Sequence, residues 1–178
     1  LVTYITAVAT LFKENFMDTR PYRPAVRIII VKKDKILVGK RMDKSKHIGY
    51  KFPGGGIDEG DSLEQTVIKE ALEEVGIQTE DVTNLGLTFR YNTVYKDPER
   101  AKIFQGGIDT WMAARYVRES KRLFNSQGDT FPFLWQTFED ATKTVNSYKK
   151  DQYTDITIQA IEQARLMLGP KIEPLKPW

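Results

Sequence analysis

Residues 55–77 read GGIDEGDSLEQTVIKEALEEVGI, and two patterns are superimposed on them. Leu63, Val67, Ile68, Ala71, Leu72 and Val75 recur at helical spacing and form one apolar stripe. Ser62 and Gln65 supply a capping box at the start, and Gly76 supplies the stop. On the polar face Glu70, Glu73 and Glu74 fall within an arc of roughly 100°. Like charges so placed repel by about 0.2–0.5 kcal/mol a pair. A divalent cation reverses that sign, because hard cations such as Mg²⁺ take carboxylate and water oxygens and let substrate phosphates complete the shell.

The glycines before the helix add a second element. Gly54, Gly55, Gly56 and Gly60 admit backbone angles and close approaches that side chains block, so the loop can present backbone groups to phosphate or metal-bound water. With this spacing the stretch resembles the Nudix box, G-x5-E-x7-R-E-U-x-E-E-x-G-U, where U is a bulky aliphatic residue. Gly55, Glu70, Glu73, Glu74, Gly76 and Ile77 occupy its fixed positions. Chance would produce these matches in a given window about once in a million. Asp61 replaces the loop Glu, Lys69 the helix Arg, and Ala71 a bulkier aliphatic residue. In the family the loop Glu and helix Arg support the box. An Asp61–Lys69 pair is therefore expected to keep the charges while losing the bidentate fork. The segments ILVGKR, YKFPGGG and FLWQTFEDA also resemble core elements of the family, so the resemblance covers roughly residues 25–168.

The resemblance implies an α/β fold, a Nudix-like α/β/α sandwich around a central mixed β-sheet. It also implies hydrolysis of a phosphoanhydride bond with Mg²⁺ or Mn²⁺ as cofactor. Glu70 and Glu74 become the principal metal ligands, Glu73 a ligand or water-orienting carboxylate, and Gly55 a further metal-binding position. Asp61, Lys69 and Gly76 take structural roles in the box. A further acidic ligand or base often comes from the loop before the last core strand, where Asp129 is the candidate and Glu119 stands behind it. The implied substrate is a nucleoside diphosphate linked to another group, with the RNA 5′ end (capped RNA) and a non-catalytic nucleotide sensor as alternatives.

Around the box, residues 25–31 and 35–41 read as a hairpin and 43–49 as a polar loop. Residues 85–95 and 103–117 read as strands, 118–130 as a polar loop, and 137–148 and 155–168 as helices. Lys40 and Arg41 stand just before the active loop, where they suit phosphate binding; Arg90 and Tyr95 are further substrate candidates. Lys44, Lys46, Arg90, Lys96, Arg100 and Lys102 are able to line a basic groove for RNA. His47 is read as facing water. Phe89, Tyr91, Tyr95 and Trp111 suit stacking on a base, with core packing the default, and Trp135 is expected to pack a helix on the sheet.

The chain of 178 residues, 40% hydrophobic, has the size of one domain: an N-terminal extension over 1–22, a hydrolase domain over 23–169 and a tail over 170–178. The first twenty residues are read as an extra strand or helix laid on that domain, and the missing initiator Met suggests processing. A net charge of +3 excludes a protein that coats nucleic acid through a long-range field. Without cysteine and with a single histidine, any catalytic metal must sit on oxygen ligands. The apolar start, LVTYITAVATLF, is too short to span a bilayer, so no membrane partner is expected. The chain is expected to be cytoplasmic, and a homo-oligomer stays open.

Overall fold

The computed structural model describes residues 18–42, 48–120, 132–148 and 150–170, with 40–42 and 48 described by their backbone alone. His47, Lys44, Lys46, Asp129 and the reading of the first residues as a strand or helix lie outside them. β1 (Tyr22–Lys32) and β2 (Lys35–Met42) form the expected hairpin, closed by Val31↔Ile36 and Lys32↔Lys35, with Lys33 at φ 59° in the turn. β2 then pairs with β3 (Ile48–Lys51), so Ile48 and Gly49 belong to a strand and not to the polar loop assigned to them.

α1 (Leu63–Val75) carries the box. Its capping box forms as read: Gln65 N–H donates to Ser62 Oγ at 3.1 Å, and Ser62 N–H to Gln65 Oε1 at 2.8 Å. Gly76 ends it at φ 62°, in the left-handed region that only glycine enters without strain. Ile68, counted in the apolar stripe, is exposed, because it lies about 100° round the helix from Val67, on the stripe's flank.

β4 (Ile77–Asn92) starts directly after Gly76, earlier than the strand expected from residue 85, and ends before Tyr95. Its first half is polar because β4 is an edge strand. Its register shifts between Gln78/Thr79, Glu80/Thr83 and Asn84/Thr88, with positive φ at Asp81 and Gly86, and these shifts hide any period of two. Ile103, read as the start of a strand, instead ends a short helix, α2 (Pro98–Ile103), which Asp97 caps with Pro98 in its first turn. β5 (Gly106–Glu119) follows and takes in Arg118 and Glu119, expected in the polar loop. β6 (Phe133–Thr137) pairs with β2. α3 (Phe138–Asn146) is capped by Thr137. α4 (Gln152–Leu168) begins earlier than expected because Asp151 accepts the Thr154 N–H at 2.9 Å.

The strands form one mixed sheet in the order β3-β2-β1-β5-β4, with β6 on β2 and the β1–β5 pair parallel. Both faces are covered, which is why β1 reads as a nearly unbroken apolar run. Val26, Ile28 and Ile30 meet Val67, Ala71 and Val75 of α1. Ile29 and Val31 meet Phe138 and Ala141 of α3 and Ala160, Ile161 and Ala164 of α4. The sandwich is therefore the α/β/α fold expected, closed by the last helix. Among the described residues no helix is long and apolar enough to cross a membrane.

Trp111 is fully buried on the α3/α4 side, its ring centroid 5.5 Å from Phe52 and 6.0 Å from Tyr153. Trp111→Ala is expected to cost about 3–5 kcal/mol, read as a lower urea midpoint at unchanged slope.

Candidate active site

β1 runs beside β5 along one edge, while β2 leaves its other edge after two residue pairs. The loop after β3 takes that place. Val26 N–H donates to Gly55 C=O at 2.9 Å, Ile28 N–H to Pro53 C=O at 2.9 Å, and Ile57 N–H to Pro24 C=O at 3.0 Å. A side chain at Gly54 (φ 151°) would run into the Val26 carbonyl, and one at Gly55 would run into the Glu70 carboxylate. The glycines therefore serve close approach on both sides of the loop, to β1 and to α1.

Glu70 is half-buried above Gly55. Burial pushes its carboxyl up, and the charges of Glu74 and Glu73 add to the shift. Glu74, one turn further on, is held at both oxygens: Oε2 accepts the Gly54 N–H at 2.9 Å and Oε1 accepts Lys51 Nζ at 2.9 Å. Glu73 is exposed at the rim. This set of hard oxygens, one of them charged at an electrostatic cost, fits a cation such as Mg²⁺ or Mn²⁺. The expected convergence of the three carboxylates is only partial, and no group of three acidic side chains is gathered around one point among the described residues. The reason is local: an ammonium and a backbone amide draw the Glu74 carboxylate towards β3 and the loop. The Gly55 carbonyl is likewise engaged by Val26 N–H.

The supporting pair also differs from expectation. Lys69 forms its closest ion pair with Asp58 and stands 3.9 Å from Asp61. Asp61 is one methylene shorter than Glu, and the turn closed by Asp61 N–H on Asp58 C=O at 3.1 Å brings Asp58 forward instead. Lys69 holds the Asp58 carboxyl below the usual range, and the guanidinium groups of Arg23 and Arg100 add to the same pull.

Arg23 and Lys51 were missed as site residues. Arg23 packs its guanidinium on Gly56, where a Cβ would collide with it. Lys51 alternates with Tyr50 and Phe52, both on the α3/α4 side, and this period of two was the available signal. Lys40 and Arg41 lie in β2 opposite Tyr50 and Gly49. Arg90 stacks on Tyr22 at 4.8 Å, at the end of β4. The Tyr95 hydroxyl is committed to the Gly106 carbonyl at 2.9 Å. Glu119 is exposed at the end of β5, paired with Ile77. Trp135 packs edge-on against Tyr116 at 5.5 Å, on the α1 side of the sheet.

Comparison with known proteins agrees with this fold. A family model described as NUDIX domain matches residues 21–156. An RNA pyrophosphohydrolase of Wolbachia pipientis subsp. Culex pipiens (strain wPip) is 27% identical over 149 residues, 78% of this chain and 89% of that protein. An RNA pyrophosphohydrolase of Haemophilus influenzae (strain PittEE) is 30% identical over 151 residues, 79% of this chain and 74% of that protein. Among solved structures, a NUDIX hydrolase from Nitrosomonas europaea is alike in fold. Its TM-score is 0.59 at 15% identity, over 82% of this chain and 89% of that one.

The raised Glu70 carboxyl has a pH consequence. Its folded form holds the proton more tightly than the unfolded chain does, so its stabilising contribution is present below the ordinary carboxylate value and lost as pH rises through the folded value. Glu70→Gln is therefore expected to raise the melting temperature of EDTA-treated protein at neutral pH. The gain should be about 1–2 °C, on the scale of a like-charge pair, and it should vanish near pH 4. Melting curves at both pH values check it.

Proposed function

The chain belongs to the NUDIX domain family and is a hydrolase of phosphoanhydride bonds, and on that premise we propose that its substrate is the 5′-terminal polyphosphate of an RNA. The observation that carries the reading is the basic rim at the glycine loop. Arg23 lies on Gly56, and Arg100, whose Nε pairs with Asp97 at 3.5 Å, joins Arg23 in lowering the Asp58 carboxyl. A rim of guanidinium groups beside an acidic helix face suits a polyanion whose reacting phosphates reach the glutamates while neighbouring phosphates stay on the rim. The names of the two relatives support the same substrate class. A free nucleoside diphosphate linked to another group offers the same bond but no chain to occupy that rim. A sensor without activity is disfavoured by the intact Glu70, Glu73 and Glu74.

In this reading Glu70 and Glu74, with Glu73, hold Mg²⁺ or Mn²⁺, which polarises phosphoryl oxygens and lowers the pKa of water when bound. Arg23 and Arg100 bind and orient the phosphates. Exposed Glu73 receives the proton of the attacking water, with Asp129 the second candidate for that role. The water oxygen bonds to phosphorus, and the bridging oxygen leaves with its electron pair. The products are a shortened RNA 5′ end and a phosphate or pyrophosphate.

The test sets 5′-triphosphate, 5′-diphosphate and capped RNA against nucleotide sugars and nucleoside triphosphates, each with Mg²⁺ and with Mn²⁺. RNA is expected to be turned over with the higher kcat/KM. Glu74→Gln should lower kcat by about 100-fold or more. Arg23→Ala should weaken RNA binding and reduce its salt slope by about 0.7. Preference for free nucleotides would overturn the RNA reading, and undiminished turnover in Glu74→Gln would remove the metal role.

A further inference from the structure

β3 places Lys51 on the α1 side of the sheet, its Nζ 2.9 Å from Glu74 Oε1, with each side chain about a quarter exposed. The other oxygen of that carboxylate takes the Gly54 N–H at 2.9 Å. Two of the three box glutamates thus differ sharply. Among the described residues Glu70 has no cationic side chain bonded to it and its carboxyl is pushed up by burial and by its acidic neighbours, whereas Glu74 already has a positive partner. Lys69, the nearest cation in the helix itself, is turned to Asp58 and Asp61. An ammonium on a four-carbon stem is a compact point charge that bonds oxygen much as a small cation does, and it moves through low-cost rotamers. It therefore meets Glu74 at the same kind of oxygen that a divalent ion would require.

We propose that Lys51 is a tethered competitor of the divalent metal at Glu74. It holds the carboxylate against the Gly54 amide when no metal is bound, and it must give up Oε1 for the metal to bind. Lys51 is in this sense a positioning residue, acting on metal through Glu74. The proposal rests on the metal reading given above. It predicts that metal affinity is set below what the three glutamates alone would provide, and that metal-stripped protein depends on Lys51 for stability.

Mn²⁺ binding, followed by loss of the free-ion EPR signal on EDTA-stripped and dialysed full-length protein, separates the two readings. Lys51→Met is expected to bind Mn²⁺ about three- to fivefold more tightly than wild type, the change carried by one partly exposed ion pair. The same variant should melt about 1–3 °C lower without metal. Lys51→Arg, which keeps the competing charge, should stay near the wild-type Kd. Lys51→Gln serves as a second neutral variant if Lys51→Met does not fold. Unchanged or weaker Mn²⁺ binding in the neutral variants, with wild type binding and Glu74→Gln not, overturns the role of Lys51 alone. No saturable binding to wild type, or equal binding to Glu74→Gln, overturns the metal reading and this proposal with it.

Discussion

Three backbone hydrogen bonds between β1 and the loop that follows β3 decide the shape of the site. Buried strand edges must find partners for their amides and carbonyls. β2 pairs with β1 only at the last two residues of β1, Val31 and Lys32, so residues Pro53, Gly55 and Ile57 complete the earlier ladder with Ile28, Val26 and Pro24. That pairing requires a backbone without Cβ at Gly54, against the Val26 carbonyl, while Gly55 must lack one because the Glu70 carboxylate lies over it. It leaves the Gly54 amide aimed at Glu74 and the Gly55 Cα under Glu70. The same strand anchors the helix from below, because Val26, Ile28 and Ile30 pack against Val67, Ala71 and Val75. Loop and helix are thus both placed by one core strand, which sets where Glu70 and Glu74 stand relative to the glycines.

The charges on α1 are arranged against its stability. Glu73 and Glu74 occupy the last turn, where the helix dipole favours cations, and no basic residue accompanies them there. Glu70 is half-buried beside both. Compensation comes from outside the helix, from Lys51 on β3 and from the Gly54 amide. Asp58, Asp61 and Lys69 close a second, exposed network at the other end of the loop. A local rule broken in this way, and offset by tertiary contacts, is the pattern expected of a functional surface rather than of a solvated face.

The elements with a strong period were legible in the sequence. The α1 stripe, its caps and the β1–β2 hairpin all form, because each depends on neighbours within a few residues. β4 was only half visible, since an exposed edge strand with three register shifts has no alternation to read. The helix at Pro98–Ile103 was hidden because six residues with no buried side chain leave no stripe. Arg27 is a charge in the middle of a core strand, and it finds the buried Asp109 at 2.8 Å across the parallel pair, a contact that strand order alone creates.

For the site the division falls in the same place. Helical geometry and glycine spacing determined, without any coordinates, that Glu70, Glu73 and Glu74 share one face beside a glycine loop, because residues three and four apart on a helix are always neighbours. Which cations stand opposite them was decided only by the tertiary structure. Lys51 and Arg23 reach the box because β3 and β1 are laid beside it. Lys69 turns to Asp58 because a tight turn brings that carboxylate forward. Charge pairing across elements depends on distances of a few ångströms between segments far apart in the chain, and no local pattern encodes those distances.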